Sequence, residues 1–226
     1  AARGVIPKEL LDKLPPAVIG EILAGLGVER LYTHQALALE AFLGGANVLL
    51  RTPPGSGRAA LRDALAMHAV LSEGASVLFL CRDAEEAEAA WQAFRSRAEK
   101  AHWRWSVPAA VLSGREQLDL DRVQPSIVFA GWEELHARLL ADAGRFDFFL
   151  RSLRMVALPH VERYQGPSSD HLGFLLARLR RVSAVAAGPA SLAGGAAGPR
   201  FFLTADPIGP DVTRLAERIA AEPVTV

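Results

Sequence analysis

The sequence predicts a doubly wound α/β fold, in which a mostly parallel sheet carries helices on both faces. Short apolar runs rich in β-forming residues recur along the 226 residues, and most are separated by a stretch long enough to be a crossover helix. The composition, 50% hydrophobic and 22% charged, is that of an ordinary globular domain. Regular alternation of strands and helices is typical of a parallel sheet buried on both faces.

The individual elements follow from these patterns in chain order. Strands are predicted at residues 47–51, 77–81, 107–112, 126–130, 154–158 and 200–204, where valine, leucine, isoleucine and phenylalanine dominate. Helices are predicted at residues 33–43, 57–71, 84–100, 132–141, 169–182 and 211–221, where apolar residues have amphipathic spacing. The main domain is therefore expected to span residues 31–226.

The two ends of this pattern differ from its centre. Residues 7–26 predict two short helices separated by Pro15 and Pro16 and stopped by Gly25 and Gly27, so residues 1–30 are expected to form an N-terminal helical extension. Residues 186–199 are rich in glycine, alanine and proline, which predicts a surface loop.

Charge and cysteine content exclude several classes of function. The 25 basic and 25 acidic residues balance, so contact with nucleic acid would require a local basic patch. The single cysteine, Cys81, excludes a disulfide within the chain and any zinc site built from several cysteines. No run of about 20 apolar residues predicts a membrane span. These features favour a reducing cytoplasm and no membrane partner.

A glycine-rich turn follows the first predicted strand, at the head of a helix, where a phosphate-binding loop belongs. It reads TPPGSGRA at residues 52–59 and contains Gly55, Ser56 and Gly57. In an intact loop of this kind a lysine contacts the β- and γ-phosphates and the next hydroxyl binds magnesium, but Arg58 and Ala59 occupy those positions. The alternative is a strand-to-helix turn without a ligand.

Residues 31–57, which include LYTHQA at 31–36, resemble the segment from the Q motif to the Walker A loop of superfamily 2 helicases. This resemblance implies that Gln35 recognises the adenine ring. It also implies the fold of that family, a RecA-like P-loop NTPase domain. The alternative is that His34 and Gln35 simply begin a helix and face solvent.

Residues 153–182 resemble, without gaps, a YprA-like subgroup of the DEAD/DEAH-box helicases. In this register the Asp-Glu-Ala-His box falls on Pro159, His160, Val161 and Glu162. The first acid of the box organises magnesium and the second positions the attacking water, which proline and histidine do not do in the same way. The Ser-Ala-Thr motif falls on Ala205, Asp206 and Pro207, where its hydroxyls are missing.

The resemblance therefore implies a degenerate helicase domain, a pseudo-ATPase that acts as a structural or interaction module and needs no cofactor. The alternative is an ATP-dependent DNA or RNA helicase domain within a longer motor that contains a second RecA-like domain. In that case ATP and Mg²⁺ are the cofactors, and the expected nucleotide-binding residues are Gln35, Gly55, Ser56, Gly57 and Arg58.

The positions that contact nucleic acid in the family are altered as well. Its Pro-Thr-Lys-Ala-Leu motif resembles residues 82–86, where Glu85 and Glu86 would repel a phosphate backbone. Trp132, after the fourth predicted strand, is a candidate for stacking on a base or for packing in the core. Residues 103–105 (WRW) are a further candidate for partner contact. The basic candidates, placed at the end of a predicted helix, are Arg178, Arg180 and Arg181.

His160, with Glu162 or His171, could be taken as a metal pair. Nothing in the sequence requires these side chains to converge, and isolated histidines are more often hydrogen-bonded surface or core residues. No metal site is therefore expected.

Overall fold

The computed structural model describes residues 22–28, 31–100, 107–112, 124–188, 198–207 and 212–225. Seven strands in these residues form one sheet with the order β3-β4-β2-β5-β6-β1-β7, and every neighbouring pair is parallel. This confirms the predicted doubly wound parallel sheet. The strands are β1 (Asn47–Arg51), β2 (Ser76–Cys81), β3 (Ala109–Leu112), β4 (Ile127–Gly131), β5 (Leu153–Leu158), β6 (Arg200–Ala205) and β7 (Val224–Thr225).

Helices follow most of the strands. They are α1 (Thr33–Leu43), α2 (Arg58–Glu73), α3 (Ala84–Lys100), α4 (Trp132–Glu134), α5 (Asp147–Arg151), α6 (Pro167–Ala187) and α7 (Thr213–Ala220). A π-helical turn, Leu135–Leu139, continues α4, and a 3₁₀ turn, Val161–Arg163, follows β5. In the described part of the chain, no helix combines the length and apolar character that crossing a lipid bilayer requires.

The sheet separates two hydrophobic clusters because successive side chains of a strand point to opposite faces. Phe201 packs in the cluster beneath α6 and α7, whereas the next residue, Phe202, packs in the cluster beneath α1 and α2. Phe79 and Phe129, on the neighbouring strands β2 and β4, stack with ring centroids 4.4 Å apart. Both faces of the sheet are thus buried, which explains why its strands are nearly continuous apolar runs.

The predicted boundaries agree with the structure where capping is strong. Helix α3 begins at the predicted residue because Asp83 Oδ1 accepts the Glu86 N–H at 2.8 Å, while Glu86 Oε2 accepts the Arg82 N–H at 2.8 Å. This capping satisfies one of the N–H groups that a helix start leaves unpaired and ties the preceding residue to the first turn.

The predicted end of α6 is wrong by five residues. Helix α6 was expected to stop at residue 182 but continues to Ala187, because the alanine-rich segment after the arginines favours helix. The predicted loop at 186–199 therefore begins later than expected. Its central residues, 189–197, lie outside the described residues.

The predicted N-terminal extension is described only from residue 22. Residues 22–25 are helical, and the helix stops at Gly27, whose φ of +73° a glycine adopts readily. The Gly27 N–H donates to the Ala24 carbonyl and the Val28 N–H to the Leu23 carbonyl, both at 2.9 Å. This glycine-centred hydrogen-bond pattern is a common way to end a helix, as the sequence predicted for this position.

Candidate functional site

The candidate site lies at one edge of the sheet, where β1, β6 and β5 end side by side. These strands are neighbours, so the segments that follow them meet even though they are far apart in sequence. The segments are the glycine-rich turn at 52–57, the turn at 159–163 and the residues after Ala205. The structure thereby brings Arg58, His160, Glu162 and Asp206 into one cluster.

The glycine-rich turn has the backbone conformation of a tight loop. Gly55 and Gly57 have φ values of +80° and +83°, in the left-handed region that side chains disfavour. A Cβ atom on Gly57 would lie 2.3 Å from Gln35 Nε2, so a side chain here would force the Gln35 amide to move. Ser56 Oγ donates to Thr52 Oγ1 at 2.7 Å, which links the two ends of the loop.

Gln35 connects α1 to this loop. Its side chain is buried, with 4% of the residue exposed, so the alternative that Gln35 faces solvent is wrong. Nε2 donates to the Ser56 carbonyl at 2.7 Å, and Oε1 accepts the Tyr32 N–H at 2.9 Å. Both ends of the amide are therefore bonded within the protein. The role in adenine recognition stays a prediction.

Arg58 is the first residue of α2 and points to the end of β6. Its Nη1 donates to the Ala205 carbonyl at 3.0 Å and forms an ion pair with Asp206 Oδ1 at 3.0 Å. Ala59, the next residue, has no side-chain oxygen and cannot bind a metal ion. In an intact loop these two positions supply a lysine for the phosphates of ATP and a hydroxyl for Mg²⁺. Arg58 and Ala59 supply neither group.

The turn after β5 places His160 and Glu162 opposite Asp206. His160 has φ 56° and ψ 49°, a left-handed conformation that is uncommon for a residue other than glycine. Its Nδ1 lies 3.2 Å from Glu162 Oε1, and Glu162 Oε2 accepts the Asp206 N–H at 3.4 Å. One ligand atom from each of the three residues lies within 4.8 Å of the others. The interpretation that nothing makes His160 and Glu162 converge is therefore wrong.

The other two residues of the predicted box do not join this cluster. Val161 is fully buried in the hydrophobic cluster beneath α6. Pro159 ends the strand and has neither a carboxylate nor a side-chain donor.

His171 lies on α6, in a separate aromatic group. Its ring packs edge-on against Trp132, with centroids 5.0 Å apart, and lies 6.4 Å from the ring of His136. Trp132 is half-buried and also packs against the hydrophobic cluster. Trp132 therefore packs against the core with part of its side chain, and stacking of its ring on a base stays a prediction.

The basic cluster lies inside α6, not at its end, which corrects the prediction from sequence. Arg178 donates to the Leu140 carbonyl at 3.1 Å. Arg180 faces inward, with its guanidinium 4.7 Å from the centroid of the Phe201 ring. Burial lowers the pKa of Arg180, and Glu222 offsets part of that effect. Arg181 is exposed.

The acidic surface predicted after β2 also includes residues that follow β4. A Cβ atom on Gly131 would lie 2.4 Å from Glu134 Oε2 and 2.7 Å from the Asp83 carbonyl carbon, so the segments after the two strands touch. Glu86 forms an ion pair with Arg163 at 3.5 Å. The backbone Glu86 N–H is the main cause that lowers the pKa of Asp83. The other candidate for contact, residues 103–105, lies outside the described residues.

Comparisons with known proteins bear on the fold of the chain. No family model matches the chain. The ATP-dependent helicase hrq1 of Schizosaccharomyces pombe is 22% identical over 190 residues, 81% of this chain and 17% of the relative. The ATP-dependent helicase HRQ1 of Saccharomyces cerevisiae is 22% identical over 166 residues, 72% of this chain and 15% of the relative. The chain thus spans less than a fifth of the length of these relatives.

Solved structures show the same architecture. The DUF1998 helicase MrfA bound to DNA superimposes with a TM-score of 0.77 at 18% identity, over 94% of this chain and 30% of that one. The chain has the fold of the N-terminal RecA-like domain of superfamily 2 helicases. Mycobacterium smegmatis helicase Lhr, bound to ssDNA and AMP-PNP, superimposes on this helicase-like domain with a TM-score of 0.71 at 19% identity, over 96% of this chain and 28% of that one. The DEAD-box helicase Mss116, bound to ssRNA and UDP-BeF, gives 0.72 at 13% identity, over 99% of this chain and 45% of that one.

Proposed function

We propose that this helicase-like domain is catalytically degenerate and acts as a structural or interaction module. The observation that supports this most directly is the ion pair between Arg58 and Asp206. A basic side chain at the position of the phosphate-gripping lysine is neutralised here by a carboxylate of the same protein. A triphosphate would have to displace that carboxylate before it could use the charge of Arg58.

The chemistry at neighbouring positions supports the same proposal. Ala59 replaces the hydroxyl that binds magnesium, and Pro159 replaces the acid that organises it. His160, at the position of the acid that orients water, hydrogen-bonds to Glu162. Without these groups the domain is expected to lack Mg²⁺-dependent ATP hydrolysis.

Phosphate release from ATP tests this proposal. The chain is assayed with Mg²⁺, alone and with single-stranded and double-stranded DNA and RNA, and the Arg58→Ala variant is assayed in parallel. The proposal predicts no turnover above the blank. The proposal is refuted if the wild-type chain hydrolyses ATP, provided that a chelator abolishes this turnover, Mg²⁺ restores it and the Arg58→Ala variant lacks it. Turnover equal in both proteins would identify a contaminating ATPase and leave the domain without activity of its own.

Contact with nucleic acid is the interaction that we propose for this module. MrfA and Lhr were solved with DNA and with ssDNA, respectively. The exposed Arg181 and the half-buried Trp132 are the described candidates with access to a strand. The surface of Asp83, Glu86 and Glu134 would repel a phosphate backbone, so binding is expected to be weak and sensitive to salt.

Fluorescence anisotropy with labelled oligonucleotides measures this contact. An Arg181→Glu variant is expected to weaken binding because it reverses a charge, whereas Arg151→Glu, on α5, serves as the matched control. Equal affinity in wild type and both variants would mean that this face of α6 does not bind the strand. A protein partner, including a second RecA-like domain, would then be the better proposal.

Nucleotide binding without hydrolysis, within a longer motor, is the second candidate. The left-handed glycines of the loop favour it, since Gly55 and Gly57 preserve the backbone of a phosphate cradle. Calorimetric titration with ATP and with ADP, each with and without Mg²⁺, separates the candidates. Saturable binding that Gly57→Ala abolishes would support this second candidate, and the absence of heat would support the first.

A further inference from the structure

The turn after β5 and the end of β6 bring one imidazole and two carboxylates together at the edge of the sheet. We infer that His160, Glu162 and Asp206 form a binding site for one divalent transition-metal ion of the zinc type. This inference goes beyond the proposed function but shares His160 and Asp206 with it, so it is tested by metal binding, a readout separate from ATP turnover. It also differs from Mg²⁺ coordination by a phosphate-binding loop, which uses a hydroxyl that Ala59 lacks.

The backbone fixes the positions of the three ligands. Strands β5 and β6 are neighbours in register, with Leu158 opposite Leu203, so the residues after them leave the sheet side by side. The left-handed conformation of His160 turns the chain sharply between the end of β5 and the 3₁₀ turn that contains Glu162. Glu162 Oε2 accepts the backbone N–H of Asp206, which ties the two segments together.

Asp206 Oδ1 is ion-paired with Arg58 but has no well-aligned hydrogen-bond donor among the described residues. This oxygen is buried, and the Arg58 guanidinium lies 3.0 Å away. The charge of Arg58 offsets that of this oxygen, and a bound cation would add the direct contact that the oxygen lacks. Arg58 also donates to the Ala205 carbonyl, so it would retain one partner if Asp206 turned towards a metal ion.

The net charge of the cluster favours a divalent cation. Glu162 and Asp206 contribute two negative charges and Arg58 one positive charge, so these three side chains carry one net negative charge beside the His160 ring. All three ligands are partly exposed, so an ion can enter from solvent and water can complete its coordination.

The type of ligand atom selects the metal. A ring nitrogen with two carboxylate oxygens suits Zn²⁺, which binds such atoms at about 2.0–2.2 Å. Mg²⁺ prefers oxygen ligands and retains its waters, so an imidazole gives it little advantage. The ligand atoms, now within 4.8 Å of one another, need to approach by about 1–2 Å, which side-chain rotations allow.

Calorimetric titration of the tag-free chain with zinc chloride tests the inference, with magnesium chloride in a parallel titration. We expect one zinc ion per chain and no matching heat from magnesium. His160→Gln and Asp206→Asn are expected to weaken zinc binding at least about tenfold, because even the loss of a group that only orients a ligand costs that much. The matched control is His171→Gln, which removes an exposed histidine of α6 and should leave the affinity unchanged.

The inference is overturned if the wild-type chain does not bind zinc, if His160→Gln binds as tightly as wild type, or if magnesium binds equally well. Far-UV circular dichroism checks that the variants fold. If they do not, crystals of the wild-type chain soaked in zinc chloride decide the question by anomalous scattering. A peak between His160, Glu162 and Asp206 supports the site, and a peak elsewhere or no peak refutes it.

Discussion

Replacing Gln35 by alanine is expected to lower the free energy of unfolding by about 2–4 kcal/mol. The side chain is 4% exposed and makes two hydrogen bonds, to the Ser56 carbonyl at 2.7 Å and from the Tyr32 N–H at 2.9 Å. A satisfied bond of this kind contributes only about 0.5–1.5 kcal/mol net, but truncating the amide leaves two partners without a bond, and each of these costs about 1–3 kcal/mol, or about 2–6 kcal/mol together. Since Ser56 and Tyr32 are only partly buried, water relieves part of that cost, and the total lies in the lower half of the summed range.

Urea unfolding followed by circular dichroism measures this difference in stability. The matched control is Gln92→Ala on α3, because Gln92 is exposed and its only described bond joins it to Glu88 on the same helix. The control should change the free energy of unfolding by less than about 0.5 kcal/mol. If Gln35→Ala matches the control, the amide does not hold the loop against α1, and our description of the glycine-rich turn is wrong.

Three further outcomes are expected. Asp63 is fully buried and forms ion pairs with Arg62 and Arg97. The Asp63→Asn variant should therefore lose about 3–5 kcal/mol of unfolding free energy, measured by urea unfolding. A loss below about 1 kcal/mol would contradict a buried ionic contact. Burial lowers the pKa of His68, so below about pH 6.5 the unfolded chain takes up a proton that the folded chain does not. The melting temperature should therefore fall between about pH 7.5 and about pH 5.5, and it should fall less in the His68→Gln variant. An equal fall in both proteins would refute this role of His68. Burial raises the pKa of Cys81 to about 12, so a thiol reagent should react slowly with the native chain and fast in urea, and equal rates would contradict its burial.

Local patterns were enough to predict most of the fold. The sequence placed α1 and α3 at their observed bounds because each has a clear start. It missed β7 and α5, which have two and five residues, because neither is long enough to show a period. It ended α6 too early because alanine and valine after Val182 show no amphipathic spacing, although they continue the helix.

The candidate site was harder to predict because it depends on strand order. The glycines of the loop were recognised from sequence alone. The contact of Arg58 with Ala205 and Asp206 spans almost 150 residues and exists because β6 is the neighbour of β1. The burial of Gln35 likewise depends on Ser56, a partner 21 residues away. Helical periodicity contains no information about either contact.

The position of β1 between β6 and β7 has a consequence for biosynthesis. Of the described strands, β1 is translated first, whereas both of its neighbours are translated last. Its apolar residues therefore emerge from the ribosome long before the edges that will pair with them exist. The sheet is expected to close late and as a unit, and a nascent chain that stops before Arg200 would leave β1 and β5 with unpaired edges open to aggregation.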